Sequence, residues 1–168
     1  KGGDFRNVTF DDCTITNIIM LCDLRKTAQA PIVNVNNCTF CYAPMETTAN
    51  ANTPLFRFAT NAANLNITNS IFGPSMATDG SAGAKLQLYT PGAKGSVLLN
   101  GASTVLSVTG SYKTNFAYTP IGADATTYGI DGLIDFKGSE TELWTAPANG
   151  EFKFNASLDS EAGASKWK

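Results

Sequence analysis

The chain has 168 residues, a mass of 17.7 kDa and a net charge of −2, enough for one domain with a substantial core. Apolar residues make up 43%, which excludes wholesale disorder, and the slight acidity counts against a nucleic-acid footprint. The complete lack of histidine excludes Ser-His-Asp and Cys-His machinery and His-ligated zinc, so catalysis would need carboxylates, Lys, Arg, Tyr or an oxygen-liganded cation.

From the N-terminus, Lys1-Gly2-Gly3-Asp4-Phe5 runs straight into strand-like sequence without Met or a signal peptide, so the chain is expected to be a piece of a longer polypeptide. The longest apolar run, Ile18–Cys22, falls far short of the roughly 18 residues of a membrane span. High contents of Asn (15), Thr (20) and Gly (15) favour strands and turns over helices.

One motif recurs. It reads Val8-Thr9-Phe10-Asp11-Asp12-Cys13-Thr14-Ile15, then Val33-Asn34-Val35-Asn36-Asn37-Cys38-Thr39-Phe40, then Leu65-Asn66-Ile67-Thr68-Asn69-Ser70-Ile71-Phe72. Offsets of this size signal stacked supersecondary units. Alternation at period two predicts a half-buried strand, broken by Asp or Asn at a sharp bend that tolerates left-handed backbone. Stacking then predicts three files: Asp12, Asn37 and Asn69, with amides bonded rung to rung; Cys13, Cys38 and Ser70, all small; and apolar Ile15, Phe40 and Phe72.

Further strands are expected at 18–21, 55–58, 85–89, 96–99 and 105–108, punctuated by Gly and Pro. Segments 43–53 and 75–84, poor in apolar anchors, are expected to leave the stack as surface loops. Two or three short strands per repeat predict a coil of a parallel β-helix; a β-sandwich is the rival, and the recurring bend residue favours the helix. From Gly110 the repeat is lost and aromatics concentrate, which predicts a cap over an open end. The expected division is β-helix coils over 1–110 and a capping segment of the same domain over 111–168.

The run Ser111-Tyr112-Lys113-Thr114-Asn115, with Glu142-Leu143-Trp144, Ala146-Pro147-Ala148-Asn149-Gly150-Glu151-Phe152-Lys153-Phe154 and a terminal Gly163-Ala164-Ser165-Lys166-Trp167, resembles a known pattern. It is similar to the C-terminal pectin-lyase-like domain of unknown function on secreted lipoproteins of gut Bacteroidetes. The Asn-Cys-Thr-Phe rungs also resemble that family. Its pattern has Phe where Trp144 stands, Asp where Glu151 stands, and a different ending. The resemblance implies an all-β, right-handed parallel β-helix with an irregular C-terminal cap. It also implies export to the outer-membrane surface or beyond, and capture of plant or host polysaccharide. It transfers no catalytic residue.

Candidate sites follow from chemistry. Exposed rings stack on the apolar face of a pyranose, which nominates Trp144, Tyr89, Tyr118 and Tyr128 for carbohydrate binding, with Tyr42 a further aromatic; packing or capping is the plainer reading of each. Arg57, between Phe56 and Phe58 on a strand, is expected to face outward and could pair with a uronate carboxylate or with a nearby surface acid. A lyase reading would use Asp11, Asp23 and Arg25 with calcium; ordinary surface charge, with Asp12 in the bends, is the plainer one. Cys38-x-x-Cys41 alone is a weak redox or metal signal. Cys13 and Cys38 share a file about 4.8 Å apart, within disulfide range but strained, and buried free thiols are the favoured reading. Four Asn-x-Ser/Thr sequons start at Asn7, Asn37, Asn66 and Asn155, three of them better explained by the bends and ladders.

The expected function is a non-catalytic cell-surface module, presenting a long shallow face to an extended and acidic, pectin-like polysaccharide. No cofactor or metal site is expected beyond a calcium ion that its carboxylates could serve. The partner is polysaccharide, with no nucleic acid and no membrane span, and the chain is expected to be a monomer. A fragment of a β-helix lyase or hydrolase, and a structural or adhesive stalk, are the alternatives.

Overall fold

The computed structural model describes residues 6–24, 30–45, 55–58, 63–76, 80, 82–83, 89–90, 105–114, 130, 132–136, 138–155 and 161–168. The chain is mostly strand with little helix. It runs through β1 (Asn7–Asp11), β2 (Thr14–Thr16), β3 (Cys22–Leu24), β4 (Ile32–Asn36), β5 (Thr39–Cys41), β6 (Phe56–Phe58), β7 (Asn64–Thr68), β8 (Ile71–Phe72), β9 (Ser75–Met76), β10 (Ala82–Gly83), β11 (Tyr89–Thr90), β12 (Val105–Thr109), β13 (Tyr112–Lys113) and β14 (Ile134–Asp135). The single-turn α1 (Glu140–Leu143), β15 (Trp144–Ala146) and β16 (Glu151–Phe154) follow.

Three sheets are parallel throughout. Their orders are β1-β4-β7-β12, β2-β5-β8-β13-β14 and β3-β6-β11. Three times the chain passes from the first sheet to the second and on to the third, at β3, β6 and β11; β12 and β13 begin a further pass, and β14 joins the second sheet. In the first sheet the repeats stand in register: Val8 beside Val33, Leu65 and Leu106, and Phe10 beside Val35, Ile67 and Val108. These alternating apolar side chains point inward. Val33, Val35, Leu65 and Ile67 are fully buried, while Val8, Phe10, Leu106 and Val108 on the outer strands are partly so. From the second sheet Phe40 and Phe72 stack face to face at 4.5 Å, and from the third Phe56 meets Phe40 edge-on at 6.4 Å. The file of Ile15, Phe40 and Phe72 ends at Lys113, whose ammonium pairs with Asp135 at 2.5 Å.

The bends are where the sequence places them. Asp12, Asn37 and Asn69 have φ of 51°, 51° and 47°. Their N–H groups donate to the carbonyls of Asn36, Thr68 and Thr109 one rung on, at 2.9 to 3.0 Å. Left-handed backbone costs an ordinary residue roughly 1–2 kcal/mol, and most for a β-branched one. Asn37→Val is therefore expected to lower stability by about 1–2 kcal/mol in urea unfolding, and Asn37→Gly to be nearly neutral.

Three expectations change. The repeat does not end at Gly110: Leu106-Ser107-Val108-Thr109-Gly110-Ser111 is a fourth unit, with Gly110 at φ 56° in the bend file. There a Cβ would lie 2.5 Å from Asn69 Oδ1, so a side chain at this position would require the Asn69 amide to move. The second sheet then continues through β13 and β14. The expected strand at 18–21 forms instead at β3, and the strands expected at 85–88 and 96–99 lie outside the described residues. Parts of the two expected loops pack closely: Ala43, Pro44 and Ser75 are buried, Met45 bridges to Met76, and β9 pairs antiparallel with β10.

The C-terminal residues lie along the flank of the second sheet. Trp144 is fully buried against Cys41, Ile71 and Phe152, its ring edge-on to Phe152 at 5.1 Å. The last residues then run across successive rungs. Gly163 N–H donates to the Asn69 carbonyl at 2.8 Å, Ala164 N–H to Thr39 Oγ1 at 2.9 Å, and Trp167 Nε1 to Thr14 Oγ1 at 2.7 Å. Between them Asp12 accepts from both the N–H and the hydroxyl of Ser165, each at 2.5 Å. The terminal stretch is thus a strap that ties three rungs together.

That strap carries a pH dependence. The Ser165 hydroxyl and then its N–H hold the Asp12 carboxyl below its ordinary value of 3.8, helped by Lys168 and Lys166. A lowered folded-state pKa means the contribution is complete above 3.8 and is lost as pH falls through the folded value. Resistance of the C-terminus to carboxypeptidase is therefore expected to persist from neutrality to about pH 4 and to fall below it. Asp12→Asn should flatten that dependence.

Candidate carbohydrate-binding face

The outward side of the first sheet is a grid. Successive columns hold Asn7, Ile32, Asn64 and Val105; Thr9, Asn34, Asn66 and Ser107; and Asp11, Asn36, Thr68 and Thr109. Alternation dictates this: with Val8, Phe10 and their counterparts turned inward, every intervening residue must face out. The grid is exposed on β1 and β12 and half-buried on β4 and β7.

Its middle column is ordered by its own hydrogen bonds. Asn66 Nδ2 donates to Asn34 Oδ1 at 2.9 Å, and Asn34 Nδ2 donates to Thr9 Oγ1 at 3.3 Å. Beside it, Asn37 Nδ2 reaches Asp11 Oδ1 at 3.5 Å. The rung-to-rung amide ladder expected along Asp12, Asn37 and Asn69 thus runs instead through Thr9, Asn34 and Asn66. The bend residues bond through their backbones, and Asp12 is engaged by Ser165. Each ladder amide commits one N–H, which holds its plane. A primary amide has a second N–H and two acceptor lone pairs to offer a hydroxyl-rich ligand. Rungs repeat about every 4.8 Å, close to the advance of one sugar ring along an extended chain.

The aromatic platform expected at Trp144 is absent, because that ring is the most voluminous fully buried side chain among the described residues. Tyr42 is also buried, and its hydroxyl is pushed up to about 12 mainly by desolvation. Tyr89 stands in register with Phe56 and Cys22, whose side chains are buried, and Arg57 stands between Asp23 and Thr90 on the third sheet. Tyr118, Tyr128 and Arg25 lie outside the described residues. The acids do not gather: Asp11 sits on the first sheet, Asp12 holds the strap and Asp23 sits on the third sheet. Among the described residues no three metal-ligating side chains converge. None of the grid residues is Lys or Arg.

The apolar pattern does not point to this grid; its signal in the sequence is the polar half of the repeat, Thr9, Asn34 and Asn66. Among the described residues no helix is long and apolar enough to cross a membrane. No family model matches the chain, and neither a curated protein nor a solved structure matches it.

Proposed function

We propose that the chain is a non-catalytic carbohydrate-binding module, and that an extended polysaccharide lies across the outward grid of the first sheet. The observation that carries this reading is the ordered ladder Asn66–Asn34–Thr9, a flat row of pre-positioned amides and hydroxyls. Pre-organised polar groups lose little entropy on binding, and a glycan offers hydroxyls at a matching repeat. With no cation on the grid, the ligand there is a neutral glycan rather than a pectin-like acid.

The architecture that suits this reading is a right-handed parallel β-helix with three sheets as its faces, its rungs continuing through β13 and β14 before the terminal segment. The resemblance to the C-terminal domain of secreted Bacteroidetes lipoproteins agrees with a surface module acting as a monomer outside the cell. A lyase or hydrolase fragment is disfavoured by acids spread over separate sheets, and a stalk by the ordered face.

A glycan array followed by calorimetry, with and without calcium, tests the reading. Saturable binding of a neutral glycan without product is expected, and Asn34→Ala with Asn66→Ala should weaken it about tenfold or more. Unsaturated product ends would favour the lyase. Silence across neutral and acidic glycans alike would favour the stalk.

A further inference from the structure

The file that follows the bends consists of Cys13, Cys38, Ser70 and Ser111, and it obeys one hydrogen-bond rule. Each side chain donates to the carbonyl two residues back: Cys13 to Asp11 at 3.2 Å, Cys38 to Asn36 at 3.1 Å, Ser70 to Thr68 at 2.9 Å and Ser111 to Thr109 at 3.0 Å. The last three also accept the N–H of the preceding rung. Ser111 Oγ takes it from Ser70 and Ser70 Oγ from Cys38, both at 3.0 Å, and the Cys38 sulfur takes it from Cys13. At the first two rungs this rule sets two thiols on neighbouring rungs, flanked by the register pairs Asp11–Asn36 and Thr14–Thr39. Both are reduced here.

We propose that Cys13 and Cys38 are a redox-switchable cross-link between the first two rungs, closed by exchange with a small disulfide such as oxidised glutathione. In-register neighbours on parallel strands lie about 4.8 Å apart, inside the roughly 4.4–6.8 Å Cα separation of disulfides. The two thiols differ in access, which orders the chemistry. Cys13 is partly exposed and Cys38 is fully buried. The Cys13 thiolate attacks the glutathione disulfide, its S–S bond breaks and one glutathione thiolate leaves. Cys38 then gives its proton to water and attacks the Cys13 sulfur, and the second glutathione leaves and is protonated. Two protein thiols are oxidised and one glutathione disulfide is reduced to two thiols. Burial raises the Cys38 thiol to about 11, opposed by the Cys13 N–H, so the second step is the slower and quickens with pH.

The other cysteines are placed differently. Cys41 belongs to the cluster around Trp144, on the opposite side of the second sheet from Cys38. Cys22 stands on β3, in register with Phe56. The Cys38-x-x-Cys41 spacing is therefore not a redox pair.

The test is peptide mapping of the full chain after incubation with oxidised glutathione at about pH 8.5. The expected product is two hydrogens lighter, with the Cys13 and Cys38 peptides joined, and melts several degrees higher than the reduced protein. Serine occupies this file at positions 70 and 111, so serine variants should fold. Cys38→Ser is expected to stop at a stable glutathione adduct on Cys13, and Cys13→Ser to give no cross-link. A wild-type protein that stops at the Cys13 adduct, joins another pair, or remains fully reduced would overturn the proposal.

Discussion

Phe40→Ala is expected to destabilise the protein by about 3–5 kcal/mol, the cost of emptying a large aromatic site in a closed core. Phe40 is fully buried, stacks on Phe72 at 4.5 Å with planes 3° apart, and meets Phe56 from the third sheet at 6.4 Å. It therefore joins side chains from two sheets, and neighbours held in strand register have little freedom to collapse into the gap. Urea unfolding should give a markedly lower midpoint with a similar slope. A loss below about 1 kcal/mol would mean that the interior repacks and that the in-register stack is not what holds the sheets together.

Trp144→Ala is expected to cost a similar amount, about 3–5 kcal/mol, while leaving the glycan affinity of the folded fraction unchanged. The ring is fully buried, packs edge-on to Phe152 at 5.1 Å, and covers Gly73, where even a Cβ would come within 3.0 Å of Trp144 Cζ3. Phe152 in turn meets Trp167 at 5.7 Å, so the loss would also loosen the terminal strap. Among the described residues the indole N–H has no hydrogen-bond partner, so Trp144→Phe should be much milder than the alanine variant. Thermal unfolding and calorimetry on the two variants separate packing from recognition. A selective loss of affinity in a stable Trp144→Phe protein would return the ring to a binding role.

The stacked rungs were legible because two independent constraints coincide in each unit. Period-two alternation marks the strand, and a residue that tolerates positive φ marks its end, as at Asn37 and Asn69. The fourth unit escaped notice because Gly110 meets the same backbone demand by a different means and Ser111 replaces a thiol by a hydroxyl. Read as left-handed residue, then small donor, the pattern extends to it. The strap was not legible. Its bonds join Ser165 to Asp12 across 153 positions and several use main-chain N–H groups, which carry no sequence signature. Trp144 could not be placed from sequence for a related reason: an aromatic side chain serves a core or a binding platform equally well. Only the neighbours that converge on it, Cys41, Ile71 and Phe152, decide which.

The central claim is that the outward amides of the first sheet contact the glycan. The most direct measurement follows the side-chain amide resonances of Asn34 and Asn66 by two-dimensional NMR during titration with neutral and acidic polysaccharides. Saturable shifts are expected at Asn34, Asn66 and neighbouring Asn36 with a neutral glycan, and little change at Trp144 or in the strap. Unmoved Asn34 and Asn66 resonances across the whole panel, or shifts confined to the third sheet around Arg57, would contradict it.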